Sequence, residues 1–201
     1  MGRRQRVDAV RVVPSWRWTR ALCATALWLT VAGTAQSESY AVVGQCRAGV
    51  PNGAYELWDL RGRLRVVGAF AQGRKTGTFI FWTATGARLA VIPYDDDARS
   101  GTVALWYTAA DGRVETGRKL EAPYVDDRLH GVVRSWHANG VQRAEYRYER
   151  GELIEARAWA EAGAVLPYAD ARSLAQRDAE ADQKVLDALL FLLRANLPAC
   201  E

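Results

Sequence analysis

Five tryptophans recur at near-constant intervals along this chain, and that recurrence limits the available folds more than any other feature. Trp58, Trp82, Trp106, Trp136 and Trp159 are separated by 24, 24, 30 and 23 residues. Gly53, Gly77, Gly101 and Gly131 each stand five residues before a tryptophan. Gly62, Gly86, Gly140 and Gly163 each stand four residues after one, and Gly112 is displaced by two in the third unit. Phe70, Tyr94 and Tyr124 each precede the next unit's glycine by seven residues. A period of this length marks an array of small units, none of which buries a core alone, so that stacking neighbours must supply it.

Each unit reads as a β-hairpin. Thr78 to Trp82 is aromatic and β-branched, which suits a pleated, half-buried surface. Ala84-Thr85-Gly86 and Ala138-Asn139-Gly140 supply turns, and Leu89 to Ile92 supplies a returning strand. Pro93 and Pro123 lack the amide hydrogen a central ladder needs, so bulges or strand ends are expected there. Alternation sorts the side chains: Tyr55, Leu57, Phe79, Phe81, Val103 and Leu105 point to one face, and Trp58, Trp82, Trp106 and Trp136 to the other.

The pattern Gly-x4-Trp, then Gly, then aromatic-x6-Gly resembles the MORN repeat, most closely its bacterial variant in proteins labelled as antitoxin components. Gly53-Ala-Tyr-Glu-Leu-Trp58, Gly77-Thr-Phe-Ile-Phe-Trp82 and Arg128-Leu-His-Gly131 carry the likeness, which spans residues 52–165. The resemblance implies an elongated antiparallel sheet of stacked hairpins that contacts proteins or membrane surfaces. It brings no catalytic residues.

Charge and cysteines bear on location. Arg3, Arg4, Arg6, Arg11, Arg17 and Arg20 precede an apolar run from Ala21 to Val31 and the small residues Ala32 to Ala35. That is the layout of a secretory signal, with cleavage expected after Ala35 or Ser37 and an alternative start near Val12 or Val13. The apolar run is shorter than the ~20 residues of a membrane span. Removing residues 1–35 takes 6 of 27 basic and 1 of 23 acidic residues, leaving 21 against 22, a formal charge of −1. No concentrated basic face remains for nucleic acid. A signal peptide also sits badly with a cytoplasmic antitoxin role. Cys23 leaves with the signal, and the remaining pair, Cys46 and Cys200, is expected to form a disulfide in an oxidising compartment.

The end of the chain differs in kind. Residues 169–196 hold neither Pro nor Gly, and Leu174, Ala181, Val185, Leu189, Leu192 and Leu193 recur at helical spacing before Pro198. The expected organisation is a signal at 1–35, an N-terminal extension at 36–51, hairpin repeats at 52–165, and a C-terminal helix and tail at 166–201. The fold class is mainly β, an elongated antiparallel sheet of hairpins with a C-terminal α-helix.

Chemistry is sparse. His130 and His137 lack further ligands at metal-binding spacing, and Ser135 near His137 lies outside any nucleophile elbow. Asp95-Asp96-Asp97 and Asp126-Asp127 fall at equivalent loops without the ordered oxygens of a calcium loop, and read as solvated turns. No catalytic residue, metal or cofactor is assigned. The leading expectation is a non-catalytic periplasmic or secreted module that binds an envelope protein. A glycan-binding module, with Trp58, Trp82, Trp106, Trp136, Tyr94 and Tyr124 as stacking rows, is the second, and a hydrolase a distant third.

Overall fold

The computed structural model describes residues 40–108 and 114–201, within the compact unit Ser37–Glu201. The signal assigned to residues 1–35 lies outside the described residues. Twelve strands form one antiparallel sheet: β1 (Tyr40–Arg47), β2 (Val50–Asp59), β3 (Leu64–Ala71), β4 (Arg74–Trp82), β5 (Arg88–Asp95), β6 (Ala98–Arg99), β7 (Gly101–Thr108), β8 (Val114–Val125), β9 (Arg128–Leu129), β10 (Gly131–Trp136), β11 (Gln142–Glu149) and β12 (Glu152–Ala158). Spatial order follows the chain as β1-β2-β3-β4-β5-β7-β8-β10-β11-β12, with β6 and β9 as short ribbons beside β5 and β8. Residues 36–51, read as an extension, therefore contain the first strand and the start of the second. One helix, α1 (Tyr168–Arg194), follows.

The turns after the tryptophans are alike. Gly62, Gly86, Gly140 and Gly163 adopt φ between 71° and 87°, and their N–H groups donate to Asp59, Thr83, His137 and Ala160. Along the opposite rim, five two-residue turns have positive φ at both central positions: Ala48-Gly49, Gln72-Gly73, Asp96-Asp97, Asp126-Asp127 and Arg150-Gly151. That is the backbone of the primed turns whose twist matches antiparallel strands.

The proline expectation is met in the partner strand rather than in the proline's own. Pro93 and Pro123 stay within β5 and β8, and their carbonyls accept from Ser100 and His130. The facing chain breaks at those residues, between β6 and β7 and between β9 and β10. It resumes at Gly101 (φ 117°) and Gly131 (φ 115°), where a Cβ would lie 2.9 and 3.1 Å from the proline rings.

The repeat glycines also have aromatic partners. Gly53 pairs with Phe70, Gly77 with Tyr94, Gly101 with Tyr124 and Gly131 with Tyr148. The aromatic that precedes the next unit's glycine in sequence thus covers the bare backbone of its own unit's glycine across the ladder.

One face of the sheet is core. Tyr55, Leu57, Phe79, Phe81, Val103 and Leu105 are fully buried there, as alternation predicts. Tyr55, Phe70, Phe79 and Tyr94 form an edge-to-face series across β2 to β5, with 5.5 Å between successive centroids. The helix covers this face from one side of the sheet to the other. Its 27 residues span about 40 Å at 1.5 Å per residue, close to the ~43 Å of nine gaps between ten strands.

Contacts follow the crossing strand by strand. Asp178 meets β11, Asp182 meets β8, the Tyr55 hydroxyl on β2 donates to Asn196 O at 2.7 Å, and Cys200 is bonded to Cys46 on β1. Asp170 in the first turn and Arg194 in the last complement the helix dipole. Among the described residues no helix is long and apolar enough to cross a membrane.

Candidate functional site

Two surfaces are built by this arrangement, and they lie on opposite faces. The open face carries Trp58, Trp82, Trp106 and Trp136, each half-buried. In all four hairpins the ladder slips at the tryptophan, between Leu57 and Trp58, Phe81 and Trp82, Leu105 and Trp106, and Ser135 and Trp136. A bulge of this kind places two residues opposite one. The extra residues are Arg65, Leu89, Lys119 and Arg143, and Lys119 and Arg143 reach the helix side.

The residues paired with Trp82 and Trp106, Arg88 and Arg118, remain on the open face. The Arg88 guanidinium lies 4.0 Å from the Trp106 ring centroid, and that of Arg118 lies 5.5 Å away. The Trp58 indole N–H donates to Glu56 at 2.9 Å. Val67, Ile80 and Val91 pair with one another in a cross-strand row beside the tryptophans, half-buried. Toward β12 the face becomes a lattice of paired charges, Arg118–Glu121, Arg134–Glu145, Arg147–Glu155 and Arg157–Glu155.

Tyr94 and Tyr124, the other proposed stacking residues, sit on the helix face and not with the tryptophans. Burial pushes the Tyr94 hydroxyl up to about 12 and also raises that of Tyr124. Each ring supports a cation from a neighbouring unit: Lys75 lies 4.8 Å from the Tyr94 centroid and Arg99 4.4 Å from that of Tyr124. Those cations hold the acidic turns. Asp97 accepts from the Lys75 backbone at 2.9 Å and pairs with its ammonium. Asp127 accepts from the Arg99 backbone at 3.0 Å and its guanidinium at 2.6 Å.

Burial alone would raise both carboxyls, but these hydrogen bonds outweigh it and hold them below the usual range. Asp97 and Asp127 are therefore links between units rather than merely solvated turns. At the equivalent turns Gly73 and Gly151 stand instead; their N–H groups keep the bonds to Pro51 and Leu129, and the preceding Gln72 and Arg150 N–H groups donate to Asn52 Oδ1 and His130 Nδ1.

Between the helix and this rim lies a cleft in two compartments. The larger, about 520 Å³, is walled by Phe70, Lys75, Tyr94, Leu186, Leu190 and Leu193. The smaller, about 260 Å³, lies under the middle of the helix and is lined by Tyr124, Ser135, Tyr146, Tyr148, Asp178 and Asp182 among others. Arg99, Asp127 and Gln183 border both, and the Arg99 guanidinium reaches the Gln183 side-chain oxygen at 3.4 Å.

The helix explains where the small compartment falls. Ala171 and Ala175 approach β11 and β12 closely, and Leu186, Leu189 and Leu193 fill the other end. Between them Ala181, one of the residues at helical spacing, is exposed, and Asp178 and Asp182 turn inward instead. Asp178 accepts from Arg143 at 2.6 Å and from the Tyr146 hydroxyl at 3.0 Å. Asp182 accepts from Lys119 at 2.7 Å, yet burial keeps its pKa above the ordinary value.

The histidines are used structurally. His137 Nε2 meets Trp159 O at 2.9 Å, and His130 Nδ1 accepts from the Arg150 backbone. Among the described residues no group of three or more His, Cys, Asp or Glu is placed to hold a metal ion.

No protein-family model matches this chain, and no curated protein does. Among solved structures the chain is similar to the crystal structure of TarM, with 13% identity and a TM-score of 0.32. That similarity covers 57% of this chain and 20% of the other.

Proposed function

We propose that this protein is an exported, non-catalytic repeat module of the MORN type that docks a cell-envelope protein on its open sheet face. One observation carries the reading. The chain covers one face of its sheet with its own helix, and leaves the other face with four tryptophans at equivalent hairpin positions and a row of aliphatic side chains, Val67, Ile80 and Val91, beside them. Half-buried aromatics set in a polar surround are the composition of a protein-binding surface. The Cys46–Cys200 bond supports an oxidising compartment, periplasmic or extracellular.

Sugar stacking on this row has less support, because a stacked sugar needs a free ring face and Arg88 already lies over Trp106.

A photo-crosslinking residue placed at Thr78 or Thr102, exposed and on the same face as Trp82 and Trp106, tests the reading in native envelopes. The expected result is one reproducible protein adduct from these positions and none from Gln176 on the outer side of the helix. Adducts from Gln176 alone, or none from the open face, would reject it.

A further inference from the structure

The compartment beneath the middle of the helix has unmet hydrogen-bonding capacity, and each of its carboxylates already has a cation. The Ser135 hydroxyl, on a residue only 6% exposed, lines the cavity and has no partner. Buried polar atoms in native proteins are paired, so an orphan hydroxyl facing a cavity marks a place for a bound group. The Tyr124 and Tyr148 hydroxyls also have no hydrogen-bond partner among the described residues. On Asp178 both Arg143 and Tyr146 use the same oxygen, and on Asp182 Lys119 uses one, so each carboxylate keeps a second oxygen open.

Beneath the helix charge is matched pairwise, Arg143 with Asp178 and Lys119 with Asp182, as is Arg99 with Asp127 at the mouth, and Arg128, exposed on the rim, stands outside these pairs. What the cavity lacks is donors and acceptors rather than a counter-ion. An ammonium ligand would bring a third cation to two carboxylates that already have one each. Each acid already accepts a hydrogen bond from its cation and has its other oxygen for a ligand hydroxyl. The walls between these polar points are Leu120, Ala122, Val133 and the tyrosine rings. The volume is about 260 Å³, that of roughly nine waters in the liquid. It gives room for one ring bearing several hydroxyls.

We propose that this cavity binds a single cyclic polyol, a monosaccharide either free or at the end of a glycan. Its hydroxyls donate to the open oxygens of Asp178 and Asp182 and exchange hydrogen bonds with Ser135, Tyr124 and Tyr148. Its C–H face lies on the tyrosine rings. The site is on the opposite side of the sheet from the docking face, so either conclusion stands without the other.

The test uses the intact, oxidised protein. Glucose, galactose, mannose, N-acetylglucosamine and myo-inositol, and oligosaccharides ending in the same sugars, are titrated by saturation-transfer NMR and followed by thermal shift. At least one should bind saturably. Binding of the oligosaccharide without the free sugar assigns the site to glycan ends, and the reverse assigns it to free sugar. Ala179→Leu, exposed on the helix at the mouth of the cavity, should weaken binding about tenfold without lowering the melting temperature of the free protein. Ser135→Ala should weaken it as well. Absence of saturable binding across the panel overturns the proposal. So does binding that neither substitution alters, or phenethylamine binding in the place of every sugar.

Discussion

At Gly68 the side chain is missing because Phe79 needs the space. A Cβ there would overlap the Phe79 ring, whereas one at Gly117 would meet nothing nearer than 3.8 Å. Gly68→Ala should therefore destabilise the fold by about 1–3 kcal/mol through overpacking. Gly117→Ala should be neutral or stabilising by up to about 1 kcal/mol, through the entropy of the unfolded chain. Urea unfolding of the two variants checks the contrast.

The acidic turns give a pH dependence of definite sign. Asp97 and Asp127 titrate below the ordinary range when folded. The stability they contribute is present above the unfolded Asp value of about 3.9 and is lost as pH falls through the folded values. Asp182 acts in the opposite sense. Its folded pKa is raised, so it subtracts stability as pH rises from the unfolded value through the folded one. Melting temperatures across the acid range should fall less for the Asp97→Asn/Asp127→Asn double variant than for the parent protein.

At the scale of single elements, the helix is held to the sheet at several points, and the covalent one is the longest-range. The Cys46–Cys200 bond joins residues 154 apart in sequence. Chain-entropy reasoning gives such a closure about 4–5 kcal/mol. Reduction should lower the melting temperature and raise dye binding at the newly opened core face. Cys200→Ser should behave like the reduced parent and be unaffected by reductant.

The hairpins and the helix were legible from residue spacing, because both depend on local periodicity. So was the division between Phe81 and Trp82, since adjacent strand positions must face apart. The bulge at each tryptophan was not, because it is a property of two strands in register and leaves no mark on either alone. For the same reason Tyr94 was grouped with the tryptophans, although its pairing with Gly77 and the alternation through Ile92 place it beneath the helix. The small cavity was hidden for a different reason. Nothing in the helix sequence marks Asp178 and Asp182 as sheet-facing, because that depends on Arg143 and Lys119, which their bulges turn to the helix side.

At the scale of the whole molecule, helix length and strand number are matched, and this makes the array indivisible. Excising one unit, Gly77 to Ser100, would remove two sheet positions and narrow the sheet by about 10 Å. The helix would then overshoot β1, and Cys200 would no longer reach Cys46. Free-thiol titration of that variant should find two reactive cysteines. Deleting about seven residues from the exposed middle of the helix as well, close to two turns and about 10 Å of rise, should restore the bond. The same linkage decides how the protein bears tension. A pull applied to the chain on the outer sides of Cys46 and Cys200 passes through two sulfur atoms and leaves the 153 intervening residues slack. Under oxidising conditions the load falls on the Tyr40 to Gln45 part of β1, which lies outside the closed loop and can peel from β2, while the hairpins from β2 onward stay unloaded.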